Sequence, residues 1–412
     1  MHQGTRAHAC QYSDGMDLTL LMLSIASVLT TVITIALLVM VLRRLGRHRR
    51  ELSELRAAAD RRSSTRKAPG ADDAGDATET DDSADSPADD GRLRKVAVVL
   101  NPSKFEETDT FRRKITEVVD RIEGAETVFY ETTIDDPGKG QTEQAVADGA
   151  DLVMAAGGDG TVRLVASVLA GTDTRMGIIP AGTGNLLARN VEIPLEDPSA
   201  AMITALTGED HQVDVGWLRA GDSAAAARSA ERQIFLVIAG FGADAEMIGY
   251  TDPEMKKRIG WIAYIFGGIR TVLGRSVDVV VQLPDDTRHA HKARTVLLGN
   301  VGKLPGGFVL MPDATIDNGR LEVVVAGWRG AAGFSQVAAQ VMNPKLTPKY
   351  GPKLATMERY LTTGIRVTTT KAQPVQLDGD TDVDATHLIA TVDPGVLRLR
   401  VPEGKGAAQG NS

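Results

Sequence analysis

Four short apolar runs between residues 95 and 180, separated by stretches of helical spacing, constrain this chain more than any other feature. Lys95–Leu100, Thr127–Tyr130, Leu152–Ala156 and Met176–Ile179 are predicted strands. Between them, Phe111, Ile115, Val118, Val119 and Ile122 mark one predicted helix over Phe111–Ile122. A second lies around Thr142–Ala147, and Val162, Val165, Val168 and Leu169 mark a third. Unbroken apolar strands alternating with helices imply a parallel sheet covered on both faces. Such sheets bind ligands at the carboxyl ends of their strands. Three loops fall there: Asn101-Pro102-Ser103-Lys104, Gly157-Gly158-Asp159-Gly160-Thr161 and Pro180-Ala181-Gly182-Thr183-Gly184-Asn185. Glycine lets backbone approach a phosphate closely, and a following helix offers unpaired N–H groups to the anion. Neither a Walker GK[ST] nor a GxGxxG pattern is present here. One glycine turn after a strand is often only a tight turn; two of them beside Asn101-Pro102 on one edge favour a nucleotide phosphate site.

Beyond Asp214 the pattern becomes mainly β. Ile234–Ala239, Val277–Leu283, Thr295–Asn300, Leu321–Ala326, Ile365–Thr370, Leu388–Val392 and Val396–Val401 are short strands split by Gly, Pro and Asp turns. His289 and His291 read as one face of a strand, and Ala220–Ala230 as a surface loop. Lys256-Lys257-Arg258 before the apolar stretch Ile259–Leu273 suits either a membrane-facing amphipathic helix or a buried one. The single cysteine, Cys10, excludes an internal disulfide and a thiolate zinc site. Aromatic residues are 4% of the chain, which disfavours a stacking-rich nucleic-acid binder, so no nucleic-acid partner is expected.

The N-terminal region reads differently. Leu18–Leu42 carries no charge, and at about 1.5 Å per residue it exceeds the roughly 30 Å hydrocarbon core. Arg43, Arg44, Arg47, Arg49 and Arg50 follow it, whereas Arg6 alone precedes it. That asymmetry predicts a single-pass cell-membrane protein with its N-terminus outside and the remainder cytoplasmic at the inner membrane face. A cleaved signal peptide fits poorly, because the leading region is not basic. Residues 43–92 pass from basic to acidic and hold few apolar side chains, so they are expected to be a disordered tether. Nine acids between 71 and 90 account for the net charge of −8; the remainder is nearly neutral.

The ordered series N-P-S-K, A-A-G-G-D-G-T, P-A-G-T-G-N-L-L-A-R-N, A-G-F-G-A-D-A, M-P-D-A-T-I-D-N-G and L-D-G-D resembles the diacylglycerol kinase catalytic-domain family over roughly residues 94–402. That family includes bacterial diacylglycerol kinases, sphingosine kinases and related lipid kinases. The resemblance implies an ATP-binding α/β domain over 93–213 and an antiparallel β-sandwich-like lipid-substrate domain over 214–402, with the active site in the cleft. With the N-terminal segments, the expected order is a tail (1–17), a transmembrane helix (18–42), the tether (43–92), these two domains and a disordered tail (403–412). The resemblance places ATP against Asn101, Ser103, Lys104, Thr132 or Thr133, Gly157, Gly158, Asp159, Gly160, Thr161, Gly182, Thr183 and Asn185. It assigns Mg²⁺ to Asp159 and Asp214, with Thr315, Asp317 and Asn318 at a further metal position. Asp378 and Asp380 match its D-G-E catalytic position, with the choice between them open.

The chemistry agrees with those residue types. Phosphoryl transfer needs a metal to neutralise phosphate charge and a carboxylate to take the proton of the attacking hydroxyl. Magnesium keeps several waters, so scattered single aspartates suffice. Without the resemblance, Asp378-Gly379 would read as a hairpin turn. Three positions depart from the family pattern: Leu186 follows Asn185 where an Asp is frequent, Asn318 is neutral, and Asp380 is a methylene shorter than Glu. The expected function is a membrane-anchored, ATP-dependent lipid kinase that uses Mg-ATP on the hydroxyl of a diacylglycerol or a long-chain base. A non-catalytic nucleotide- and lipid-binding protein is the alternative, and an NAD-kinase-like reading fits the motif series less well. The membrane lipid is the expected partner, and a homodimer is left open.

Overall fold

The computed structural model describes residues 93–241, 276–304, 308–330, 353–404 and, within 332–340, residues 332, 333, 336, 337 and 340. Its first strand, β1 (Lys95–Leu100), is buried along almost its whole length. β1 lies between β2 (Glu126–Glu131) and β3 (Leu152–Gly157), and β3 pairs with β4 (Arg175–Pro180), all parallel. Alternation along β1 divides the core. Ala97 and Val99 join a cluster with Ala145 of α2 (Lys139–Ala147) and Val162, Val165 and Leu169 of α3 (Asp159–Leu169). Val96, Val98 and Leu100 join another with Phe111 and Ile115 of α1 (Thr108–Val119) and Met202 and Leu206 of α5 (Pro198–Thr207). The expected parallel sheet is therefore covered on both faces. α4 (Leu186–Asn190) follows the loop after β4.

Antiparallel strands build the rest: β5 (Glu209–Gly221), β6 (Gln233–Phe235), β7 (Ile238–Phe241), β8 (Val277–Gln282), β9 (Arg288–Ala293) and β10 (Thr295–Gly299). The two-residue strands β11 (Lys303–Leu304) and β12 (Phe308–Val309) pair with each other. β13 (Leu321–Trp328), β14 (Ala355–Thr362), β15 (Gly364–Leu377) and β16 (Asp380–Val401) complete the set. β16 pairs with β15 and β5, and Leu399 meets Met176 of β4 in parallel, which makes one fourteen-stranded sheet. This α/β unit with its β-rich continuation agrees with the expected fold class for the described residues.

Several local differences have identifiable causes. The strands expected at Leu388–Val392 and Val396–Val401 are one strand with a register shift between Asp393 and Leu397, where Pro394 lacks a donor and Gly395 takes φ 59°. The strand expected at Ile234–Ala239 is divided, because the N–H groups of Leu236, Val237 and Ile238 turn to the Asp378 carboxylate. Within Ala220–Ala230 the alanines form a helix, α6 (Ala224–Ser229), whose end is capped by Ser223 Oγ accepting from Ala226 N at 3.2 Å.

The single-pass cell-membrane localisation is corrected: among the described residues no helix is long and apolar enough to cross a membrane. The tail (1–17), the run at 18–42 that carried that expectation and the tether (43–92) lie outside the described residues, as do the stretches 256–273 and 405–412.

Candidate active site

Two glycine loops meet at the carboxyl ends of β3 and β4. A Cβ on Gly182 would stand 2.7 Å from the Gly158 Cα and 2.9 Å from Asn185 Oδ1, and one on Gly157 would stand 2.7 Å from Thr161. Only hydrogen fits at these positions. Asn185 (φ 48°, ψ 49°) adopts the left-handed conformation that Asn tolerates better than most residues. Its amide brackets Gly182, accepting from Gly182 N at 2.9 Å and donating to Gly182 O at 2.8 Å. Asp159, the first residue of α3, accepts from Asn185 N at 2.8 Å and from Leu186 N at 2.5 Å. One carboxylate thus bolts the start of α3 to the start of α4. Position 186 supplies its backbone N–H, so a leucine there preserves the contact; its side chain is buried.

No side chain caps the N-terminus of α3 at Gly158, which leaves first-turn N–H groups free to meet an anion. Lys104 leans over this turn, its Cε 4.0 Å from where a Gly158 Cβ would be. Asn101 shapes the loop that carries Lys104: its Oδ1 accepts from Ser103 N at 3.1 Å and Ser103 Oγ at 2.7 Å. The Thr132 and Thr161 methyls each lie 3.8 Å from a Cβ placed on Gly138, beside the same cradle. Thr133 closes a turn, its Oγ1 accepting from Asp136 N at 3.0 Å, and Thr183 is exposed on the rim. Gly182→Ala should drive a methyl into Gly158 backbone. We expect loss of ATP binding by calorimetry and a stability decrease of about 1–3 kcal/mol, read by denaturant titration.

Asp378-Gly379 is the turn between β15 and β16, with φ 51° and 95°. The Asp378 carboxylate points inward and is 6% exposed. It accepts from Leu236 N at 2.8 Å, Val237 N at 2.8 Å and Ile238 N at 2.9 Å. Burial pushes its carboxyl above the usual range, opposed by these N–H groups and by the Arg163 charge. Asp380, two residues on, has a side chain 61% exposed, and Arg163 Nη2 donates to its Oδ2 at 3.1 Å. That oxygen lies 3.3 Å from where a Gly160 Cβ would be, over the first turn of α3. Asp159 is pushed up to about 6, first by burial, against the N–H of Leu186, with the charges of Asp378 and Asp380 adding to the rise.

The remaining metal candidates are engaged within the protein. Asp214 accepts from Gly319 N at 2.6 Å and Gly395 N at 2.8 Å. Asp317 Oδ2 is 3.2 Å from His211 Nε2, Asn318 Nδ2 donates to Asp313 O at 3.1 Å, and Thr315 O accepts from Asn318 N at 3.5 Å. Among the described residues no three His, Cys, Asp or Glu side chains converge as a metal cage. The glycine cradle, the uncapped helix end and Lys104 fit a polyphosphate. Asp159 fits a Mg²⁺ held chiefly by phosphates and water, which needs only one or two carboxylates. Sequence reasoning missed Arg163, although its spacing of four from Asp159 puts both on one face of α3.

Comparison with known proteins bears on this arrangement. The chain matches the diacylglycerol kinase catalytic domain over residues 95–218 and the YegS C-terminal NAD kinase beta sandwich-like domain over 237–401. A diacylglycerol kinase of Bacillus subtilis (strain 168) is 28% identical over 255 residues, covering 61% of this chain and 79% of that protein. A Pseudomonas putida protein named "Probable lipid kinase YegS-like" is 28% identical over 272 residues, covering 63% and 80%. The crystal structure of a diacylglycerol kinase from Bacillus anthracis str. Sterne superposes with a TM-score of 0.54 at 20% identity, covering 76% of this chain and 98% of that one. At that identity the likeness bears on the fold.

Proposed function

We propose a substrate and a division of labour for a chain that belongs to the diacylglycerol kinase catalytic-domain family and is a lipid kinase: it transfers the γ-phosphate of ATP to the free hydroxyl of a diacylglycerol. The observation that carries this reading is the glycine cradle bolted by Asp159, with the half-exposed Asp380 carboxylate directly above Gly160. Bound Mg-ATP would supply the electrophilic phosphorus and neutralise charge on the transferring group. Backbone N–H groups at the start of α3, with Lys104, would hold the phosphates. Asp159 keeps the two loops in register and has oxygen lone pairs left for the metal. Asp380, near water and within the same site, would take the proton of the attacking lipid hydroxyl. Asp378 has its carboxylate spent on three backbone donors and is assigned to structure.

The test is transfer of labelled γ-phosphate from Mg-ATP to diacylglycerol and to a sphingoid base in mixed micelles, using the full chain. Labelled phosphatidic acid is expected. A labelled sphingoid product instead would reassign the substrate to a long-chain base. ATP binding without any lipid product would favour the non-catalytic alternative.

A further inference from the structure

Arg163 does not behave like a residue kept for stability. It lies on α3, where Val162, Val165, Ala166 and Leu169 are buried, and its own side chain is only 16% exposed. One terminal nitrogen is spent on Asp380 at 3.1 Å, while its Nε is buried without a hydrogen-bond partner among the described residues. A desolvated guanidinium with an orphaned N–H is costly, and an ion pair whose acid is more than half exposed returns little. Groups that violate local satisfaction in this way concentrate where a site needs them. What Arg163 reaches is the oxygen of Asp380 that stands over Gly160, the residue next to Asp159.

We propose that Arg163 is a positioning residue for phosphoryl transfer, holding the short Asp380 side chain over the nucleotide end of α3. This rests on the reading of Asp380 as the proton acceptor. Three features place the acid. The missing side chain at Gly160 leaves room below it, the hairpin turn at Asp378-Gly379 fixes its backbone, and Arg163 selects the rotamer. Asp380 is a methylene shorter than glutamate, so its carboxylate reaches less far from the strand and depends more on a partner that fixes its direction. Oδ1 has no hydrogen bond among the described residues and is the oxygen left for the lipid hydroxyl. Arg163 itself need not touch ATP or lipid.

The test compares the full-length wild type with Arg163→Gln, Arg163→Lys and Asp380→Asn in the diacylglycerol micelle assay. Glutamine retains part of the stem that packs on α3 and removes the charge. For Arg163→Gln we expect kcat to fall about 10-fold to 100-fold, the scale for a misplaced reacting group. KM for ATP should stay within about threefold, with melting temperature and the ATP-induced rise in melting temperature unchanged. Lysine should restore part of kcat. Full kcat in Arg163→Gln, or a loss confined to KM for ATP, would overturn the positioning role. A loss of rate that tracks a lower melting temperature in both variants would overturn it too, in favour of a structural role. Asp380→Asn separates the two levels: inactivity there with a fully active Arg163→Gln removes only the Arg163 assignment. Wild-type rates in Asp380→Asn would remove the base assignment, and the positioning role with it.

Discussion

Asp159→Ala should abolish phosphoryl transfer, by about 1,000-fold or more in kcat, without unfolding the protein. The Asp159 side chain ties the starts of α3 and α4 together, accepting from Asn185 N and Leu186 N. Without it, Gly158 and Gly182 lose the register that leaves backbone bare for phosphate. The stability terms oppose each other. Two backbone N–H groups lose an acceptor, at roughly 1–3 kcal/mol each if they stay dry. Against that, the buried charge disappears. Its carboxyl is raised from 3.8 to about 6, an ionisation penalty on the order of 3 kcal/mol. A melting temperature within several degrees of wild type is therefore expected, beside a dead enzyme. Wild-type melting with full activity would refute the role; a molten variant would show that the bolt is mainly structural.

The same group sets a pH dependence. In the free protein Asp159 holds its proton up to about pH 6, because burial outweighs the N–H donors. If the ionised form is the one that meets metal and nucleotide, kcat/KM for ATP should fall as pH drops below about 6, since that ratio reports the free enzyme. The stability contribution runs the other way. Between 3.8 and about 6 the native state holds a proton that the unfolded chain has released, so this group's contribution declines as pH rises through that window. A pH series of kcat/KM beside a pH series of melting temperature separates the two signs.

What was legible in the sequence was local. Unbroken apolar runs such as Lys95–Leu100 announce buried parallel strands, and the glycine loops after them announce where a ligand meets the sheet. Long-range causes were not legible. The division between β6 and β7 is imposed by a carboxylate more than 130 residues away, so no window around Ile234–Ala239 contains its reason. The continuity of β16 was hidden for the opposite reason: Pro394-Gly395 reads locally as a terminator, while pairing with β5 on both sides carries the strand through. Arg163, among apolar helix neighbours, resembles an ordinary surface cation until the chain brings Asp380 back over α3 from 217 positions downstream. Leu186 looked like a lost ligand, because the sequence shows side chains and the contact uses a backbone N–H.

Asp378 and Asp380 share one motif and should fail in different ways. Asp378→Ala would leave the N–H groups of Leu236, Val237 and Ile238 facing a dry cavity, each at roughly 1–3 kcal/mol. A loss of about 3–5 kcal/mol, or a melting temperature lower by roughly 10 °C, is expected. The left-handed turn geometry at Asp378 adds strain for alanine. Asp380→Asn alters a side chain that is mostly in water and pairs only with Arg163 among the described residues, so its melting temperature should barely move. Its kcat should fall by about 100-fold to 10,000-fold, the scale of general base catalysis, with ATP binding retained. Calorimetry and the labelled-phosphate assay on both variants decide the assignment. If Asp378→Ala were stable and inactive while Asp380→Asn were active, the proton acceptor would be the buried acid, and the 236–238 loop would have to open for the lipid hydroxyl to reach it.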